Sequence, residues 1–446
     1  MIFLALLAQA APTYAAQPAK TPNILILYAD DLGHGDLSCY GAKDIRTPAI
    51  DSLARSGIRF TNYYCAAPLC APSRAAMLTG RTPARAGMAL DKNIPPEPGS
   101  PGMPGEQITL AELVKPAGYA TALIGKWHLG SSPETLPNAQ GFDYFFGFHA
   151  SLTDYFMHTF TLNNREYHDL YRNGEQIHRD GEHMTDLIAE ESLAFIEAHR
   201  REPFLLFVSF NAPHYPVQPQ QKWVDAYRDL PEPRRGHVAL VAGMDEAIAR
   251  ILRKLDELNL ADNTFVLFTS DNGAAAASPR GEGGGRNTPF REHKRSLFDG
   301  GSHVPAIVRW PGHVPEKQTR DQLAIEMDVF PTVADVTGAK PPAGRTLDGR
   351  SWVPLFEDPK ATIHEMLFLE WDGQAAIRQG KWKLVRNGLV DLDVSRTKRA
   401  APPDDIFLAN VESDPGERKN LRDQHPEIVT RLMAAWEKWR SSLERD

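Results

Sequence analysis

Two acid-bearing sites of the same kind lie far apart in the chain. Asp30 and Asp31 close the apolar run NILILYADD, and Asp271 with Asn272 closes NTFVLFTSDNG. Adjacent oxygen donors at the ends of two strands of one sheet can converge on a hard divalent cation. With no histidine or thiolate in that set, Ca²⁺ or Mg²⁺ is favoured over Zn²⁺, and Ca²⁺ fits mixed carboxylate and amide ligation slightly better. Cationic and titratable groups recur at comparable places. Lys126 and His128 stand two apart in GYATALIGKWHLG, so an extended chain turns both to one side and Trp127 to the other. His214 ends the run EPFLLFVSFNAPH, and Arg74 and Lys294 add two more positive groups. One divalent ion, an arginine, two lysines and two histidines suit a small tetrahedral oxyanion ester. Its equatorial oxygens need neutralising while its leaving oxygen needs a proton. Phosphate and sulfate esters both meet that description.

The elements that must position these groups are legible in outline. The runs that end in them are continuous, β-rich and apolar, as in the central strands of a parallel sheet buried on both faces. Helical patterning fills the intervals, for instance over residues 185–199 and 237–258. Strands and helices therefore alternate as in an α/β fold with a largely parallel sheet, and ligands then sit at the strands' carboxyl ends. From about Gly338 the texture changes. The stretch GAKPPAGRTLDGR leads into short strand candidates EMLFLEW, QAAIRQ and KWKLVR and a last amphipathic helix near residues 426–443, which reads as a small antiparallel sheet with one helix. The expected division is a catalytic domain over residues 20–338 and a smaller α+β subdomain over residues 339–446. The loop AAAASPRGEGGGRN, residues 274–287, is low in complexity and comes directly after the Asp271 and Asn272 pair.

Composition narrows the partners. A formal net charge of -8 over 446 residues argues against nucleic acid, because phosphate neutralisation needs a strongly basic face. An anionic substrate must then meet a local positive pocket. The opening MIFLALLAQAAPTYAAQ pairs a short apolar stretch with small residues such as Ala15 and Ala16, although no Lys or Arg precedes Lys20. It reads as a secretory signal peptide over residues 1–16, too short to span a bilayer, and points to a periplasmic or secreted protein. Three cysteines are too few for a disulfide framework; if Cys70 is chemically occupied, Cys39 with Cys65 is the one pair left.

Cys70 lies in CAPSRAAMLTGR, beside Pro72 and Arg74, company that a buried structural thiol does not need. This stretch matches the pattern C-x-P-S-R-x-x-x-L-T-G-R, and GYATALIGKWHLG is similar to a second signature of the same family. The pieces PNILILYADDLGHGDLSCYG, TPAIDSLARSGIRFTNYY, APHYP, FTSDNG, KRSLFDGGSHVPAIVRWPG, DVFPTVADVTG, LDGRSWVPLF and DPGERKNL keep the family's order. By these residues the chain resembles the type I sulfatases, nearer the arylsulfatase A and N-acetylgalactosamine-6-sulfatase branch than choline sulfatase. The resemblance implies an alkaline-phosphatase-like fold. It also implies that a separate formylglycine-generating enzyme oxidises Cys70 to Cα-formylglycine, whose hydrate attacks sulfur with one hydroxyl and expels sulfate through the other. Asp30, Asp31, Asp271 and Asn272 are implied to bind Ca²⁺ together with residue 70. Arg74 would hold the hydrate, Lys126 and Lys294 would clamp sulfate oxygens, His214 would protonate the leaving alcohol, and His128 would take the proton that triggers release of sulfate. The family's K-G-T-x-x-E-G-G appears here as KRSLFDGG, with Arg295 after Lys294 and Asp299 for the acid.

The implied reaction is hydrolysis of a sulfate ester, and export favours a sulfated polysaccharide or oligosaccharide as substrate. Ser151 stands about where arylsulfatases place a serine near the sulfate; His149, Asp154, His158, Arg286 and His293 are candidate sugar contacts. Alternatives on the same scaffold are a phosphonate or phosphodiester hydrolase, a sulfamidase, or a non-catalytic sulfoglycan-binding protein should Cys70 stay unoxidised.

Overall fold

The structure is a computed structural model and describes residues 21–277, 283–390 and 405–443. The proposed signal peptide lies outside the described residues, and the loop of residues 274–287 lies only partly within them. The α/β expectation holds: a ten-stranded mixed sheet, flanked by helices, is joined by a four-stranded antiparallel sheet. The centre of the large sheet is five parallel strands in the order Thr264–Ser270, Asn23–Ala29, Phe204–Ser209, Ala120–Lys126 and Tyr144–Phe148. Their apolar runs are continuous because both faces are covered. In Asn23–Ala29, Ile24, Ile26 and Tyr28 enter one core and Leu25, Leu27 and Ala29 the other. The second core is closed by the long helices Met184–Ala198 and Arg234–Glu257.

Register brings the chemistry to one edge. Ala29 pairs with Ser270, Tyr28 with Ser209, and Ser209 with Gly125, so four parallel strands end level with one another. The residues just past these strands are Asp30, Asp271, Phe210 and Trp127, with Lys126 as the last residue of its own strand. Glycine at two of these positions is required by space. Gly125 and Gly147 are paired, both at positive φ, and a Cβ on Gly147 would lie 1.8 Å from the carbonyl oxygen of Gly125. We therefore expect Gly147→Ala to lower stability by about 3 kcal/mol or more. Gly338→Ala, at φ +72 but with nothing within 4 Å of its Cβ, should cost about 1 kcal/mol, with urea denaturation as the measure.

The small sheet runs Leu367–Trp371, Gln374–Gln379, Trp382–Arg386 and Ile406–Asn410, the last of which the sequence pattern does not announce. One face takes Leu432 of the helix Pro426–Leu443 against Ile377, Leu384 and Leu408. The other packs Leu369, Trp371 and Val385 on Tyr64, Leu297 and Phe298. The disulfide between Cys39 and Cys65 does not form. Both are free, Cys65 is fully buried, and its thiol points to the carbonyl oxygens of Ala67 and Ser302.

Candidate active site

Cys70 is the first residue of the helix Cys70–Thr79, all ten residues of which are buried. Its Sγ stands 3.6 Å from Asp30 Oδ1, 3.8 Å from Asp31 Oδ1 and 3.1 Å from Lys294 Nζ. Burial pushes its thiol up to about 12, outweighing the pull of Lys126 and Lys294. The translated side chain is thus a protonated, poor nucleophile at neutral pH.

Around it, three carboxylates meet three fixed cations. Lys126 Nζ is 2.7 Å from Asp30 Oδ2, and Lys294 Nζ is 2.6 Å from Asp31 Oδ1. The guanidinium of Arg74 spans Asp271 Oδ2 at 2.8 Å, Asp30 Oδ1 at 3.4 Å and the hydroxyl of Ser209 at 2.7 Å. Ser209 in turn donates to the carbonyl of Lys126. It therefore fixes the arginine's plane against the strand that carries the lysine. Sequence reading passed over Ser209 because a lone serine at a strand end has no distinguishing signal. Burial, and then the neighbouring Asp30, raise Asp271 to about 6; against the same burial, Lys294 and His214 hold Asp31 well below the usual carboxylate range.

The donor set fits a divalent cation. Asp30, Asp31 and Cys70, with His214 nearby, offer ligand atoms within 4.8 Å of one another. Asn272 donates its amide N–H to Asp31 Oδ1, while its own Oδ1 is buried with no hydrogen-bond partner among the described residues. An unpartnered buried amide oxygen is costly unless something cationic meets it. Three carboxylates balance three cations, so an added 2+ ion would leave the positive excess that an anionic ester needs.

A cavity of about 130 Å³ opens beside Cys70 and is lined by His128, Ser151, His214, Lys294 and Asn93 among others. His128, at φ +57 just past its strand, is 1 % exposed, and neither ring nitrogen has a partner among the described residues. Burial, then Lys126 and Arg74, hold it well below the ordinary histidine value, so it is neutral and able to accept a proton. His214 donates from Nδ1 to the carbonyl of Tyr215 at 2.6 Å, which leaves Nε2 facing Asp31 Oδ2 at 3.7 Å. Burial and the two lysines hold its imidazole down to about 3 despite Asp31.

The loop that delivers Lys294 is pinned from the small sheet. Lys383 Nζ contacts Asp299 Oδ1 at 2.5 Å and Glu417 Oε1 at 3.1 Å, and Glu417 also accepts the backbone N–H of Asp299. The small sheet thereby braces the KRSLFDGG segment. Beneath the site, Tyr28 donates to Glu326, whose burial raises its carboxyl to about 8. Sequence reading did not single out Glu326, Glu417 or Lys383.

The candidate sugar contacts are not gathered in this way. Ser151 lines the Cys70 cavity. His149 stacks between Phe145 and Tyr171 and lines a separate cavity of about 400 Å³. Asp154 accepts from the backbone N–H groups of Phe156 and Met157 and from Gln218. His158 is fully buried against the carbonyl of Glu182, Arg286 pairs with Asp44, and His293 meets Asn287.

Known proteins are similar to this chain in sequence and in fold. Residues 22–339 match the family described as Sulfatase, and residues 291–441 match that described as N-sulphoglucosamine sulphohydrolase, C-terminal. The chain is 38% identical over 387 residues to human (Homo sapiens) N-acetylgalactosamine-6-sulfatase, covering 83% of this chain and 72% of that protein. It is 32% identical over 538 residues to mouse (Mus musculus) steryl-sulfatase, covering 97% and 84%. The crystal structure of Ps i-CgsB in complex with k-i-k-neocarrahexaose superimposes with a TM-score of 0.85 at 29% identity, covering 94% of this chain and 93% of that one. With the family match spanning well over half of its length and these relatives most of the rest, the chain belongs to the sulfatase family and is a sulfuric ester hydrolase.

Proposed function

We propose that this chain is an exported sulfatase that removes sulfate from a sulfated glycan, with Cα-formylglycine at position 70 as nucleophile and Ca²⁺ as its ion. The observation that carries the reading is the placement of Cys70: a buried, protonated thiol at a helix start, within 4 Å of two carboxylates and a lysine. A thiol captured by sulfate has no easy route to release it, whereas an aldehyde hydrate supplies one hydroxyl to attack sulfur and a second from which sulfate is expelled. Asp30, Asp31, Asp271 and Asn272, with residue 70, would hold the ion, which when bound supplies positive charge at the nucleophile and at one sulfate oxygen. Arg74, locked by Ser209 and Asp271, orients residue 70. Lys126 and Lys294 balance the charge that builds on the sulfate oxygens. His128, neutral and unpartnered, accepts the proton of the second hydroxyl, and His214 directs Nε2 toward the leaving oxygen. Ser151 borders the sulfate pocket.

A glycan substrate is supported by the names of the relatives and by the carrageenan-derived ligand of the similar structure. Export is supported by the N-terminal pattern, and the maturation partner would be a formylglycine-generating enzyme. Among the described residues no helix is long and apolar enough to cross a membrane. We keep the division at residue 338 as a proposal for the two units.

A second reading, N-sulfate hydrolysis, is favoured by one observation, the match of residues 291–441 to a sulfamidase C-terminal family. Initial rates on N-acetylgalactosamine 6-sulfate, N-sulfoglucosamine and phenyl phosphonate decide between them. The O-sulfate is expected to lead by about 10²-fold or more in kcat/KM. Faster turnover of the N-sulfate or the phosphonate would overturn the ester reading. The ion is tested separately. Ca²⁺ at about 100 times its Kd should add about 2.7 kcal/mol of stability to the chelator-treated protein. Calorimetry should show that gain missing in Asp271→Ala, and an equal gain in that variant would remove Asp271 from the ligand set.

A further inference from the structure

Between the strand Tyr144–Phe148 and the helix Met184–Ala198 the chain makes an excursion built on the hairpin of Thr159–Leu162 and Arg165–His168. His158 lies just before the hairpin, His168 ends it opposite Thr159, and Asp180 lies in the turn that leads back to the helix. We propose that His158, His168 and Asp180 form a second metal site, for a borderline transition ion such as Zn²⁺, that staples this excursion together.

Three observations point there. First, the three side chains offer ligand atoms that all lie within 4.8 Å of one another. Second, the tautomer of His158 is set. Its Nε2 lies 3.0 Å from the carbonyl oxygen of Glu182, which can only accept, so Nε2 carries the hydrogen and Nδ1 keeps its lone pair. A carbonyl holding one ring N–H while the other nitrogen faces outward from that bond is the usual support of a metal-bound imidazole. Third, that Nδ1 is unpartnered among the described residues although His158 is 0% exposed, and both ring nitrogens of His168 are buried and unpartnered too. Asp180 Oδ1 stands 3.6 Å from His168 Nε2, just beyond hydrogen-bond length.

The donor set selects the ion. Two imidazoles and one carboxylate suit Zn²⁺ or Co²⁺ and are poor for Ca²⁺, which prefers six or more oxygens. Tetrahedral bonds of about 2.0–2.1 Å bring ligand atoms to about 3.4 Å apart, so the site must tighten slightly on loading. Asp180, with its side chain 48% exposed, can make that movement and leaves an entry path. Water completes the fourth position. The consequence reaches the neighbouring cavity of about 400 Å³, since His168 forms part of its wall. None of these residues belongs to the Cys70 site, and the inference stands apart from the catalytic reading.

The test uses the full chain, stripped of metal and reloaded with Ca²⁺, and titrated with Co²⁺ and then Zn²⁺. One equivalent of Co²⁺ should bind with the strong visible absorption of a four-coordinate ion and be displaced by Zn²⁺, which should also raise the Tm. His168→Gln should weaken Zn²⁺ affinity by about 10²-fold while turnover of 4-nitrophenyl sulfate persists. Should that variant fold poorly, Asp180→Asn, at a half-exposed position, gives the same readout with a smaller loss. If the parent takes up no Co²⁺ beyond what excess Ca²⁺ displaces, or if His168→Gln or Asp180→Asn binds Zn²⁺ as tightly as the parent, the site does not exist.

Discussion

Cys70→Ala is expected to remove sulfate ester turnover, by on the order of 10⁵ to 10⁶ in kcat, while leaving the fold in place. The fold should survive because the side chain is small and sits at a helix start, and its sulfur's polar contacts among the described residues are with the side chains of Asp30, Asp31 and Lys294. Urea denaturation should therefore shift by no more than about 1–2 kcal/mol. The activity loss reflects removal of the side chain that becomes the hydrate, and the unoxidised thiol, which burial pushes up to about 12, is no substitute for it. At pH 7 burial keeps that thiol protonated, so an unoxidised Cys70 could not sustain ordinary turnover. Its rate would also climb tenfold per pH unit into the alkaline range. An aldehyde-derived nucleophile has no such dependence. In the active parent enzyme, the peptide spanning residue 70 should be lighter by about 18 Da than its sequence and should react with hydrazides. If active preparations keep the full cysteine mass, or if activity rises steeply through pH 9 to 11, the nucleophile is the thiol and the proposed maturation is wrong.

How much of this was legible in the residues differs by element, for physical reasons. Strands buried on both faces advertise themselves as unbroken apolar runs, and although an acid or amide pair after one such run reads as a turn or helix cap, two runs each closed by adjacent oxygen donors point to a shared site. Asp30, Asp31, Asp271 and Asn272 were visible on that ground and Lys126 by its spacing to His128, and the register of four parallel strands brings them to one edge. Partners that act by holding others were not visible. Ser209 and Glu326 are ordinary residue types whose positions matter only once strands Phe204–Ser209 and Asn23–Ala29 are side by side. The same applies to Lys383, which reaches Asp299 across 84 residues of sequence. The strand Ile406–Asn410 lacks clean alternation, since its burial rises only in its middle, and so it did not stand out. The polar residues named as sugar contacts show the converse problem. In Asp154 and His158 the excursion after residue 148 uses polar side chains to satisfy its own turns, a purpose that no local pattern separates from recognition.

The charge balance of the site explains why histidines can serve it although they start out neutral. Arg74, Lys126 and Lys294 are each within ion-pair distance of a carboxylate, so the cage is nearly neutral before any ion or ester arrives. His128 and His214 feel the lysines through a poorly solvated interior, and burial with those charges holds both in the neutral form. An arriving sulfate ester places negative charge among the same cations. That charge weakens their effect on His214 and favours a proton on Nε2 at the moment the leaving oxygen needs one.

His214→Asn should accordingly lose about 10² to 10⁴ in kcat on a sugar sulfate, whose departing alkoxide must be protonated. On 4-nitrophenyl sulfate, whose leaving group is stable as an anion, the loss should be less than about tenfold. The pH dependence has a definite sign. Nδ1 already donates to the carbonyl of Tyr215, so the proton available for transfer is the one on Nε2, present only in the imidazolium. That form is disfavoured in the free protein, where burial and the lysines hold the group down to about 3, and it gains from the bound ester. For the sugar sulfate, kcat should therefore fall as pH rises through the pKa of His214 in the complex. The falling limb should be missing with 4-nitrophenyl sulfate and missing for both substrates in His214→Asn. Equal losses for good and poor leaving groups would take the acid role away from His214. They would leave Lys294, whose ammonium is held protonated well above its ordinary range by Asp31 in spite of burial, as the group in reach of the same cavity.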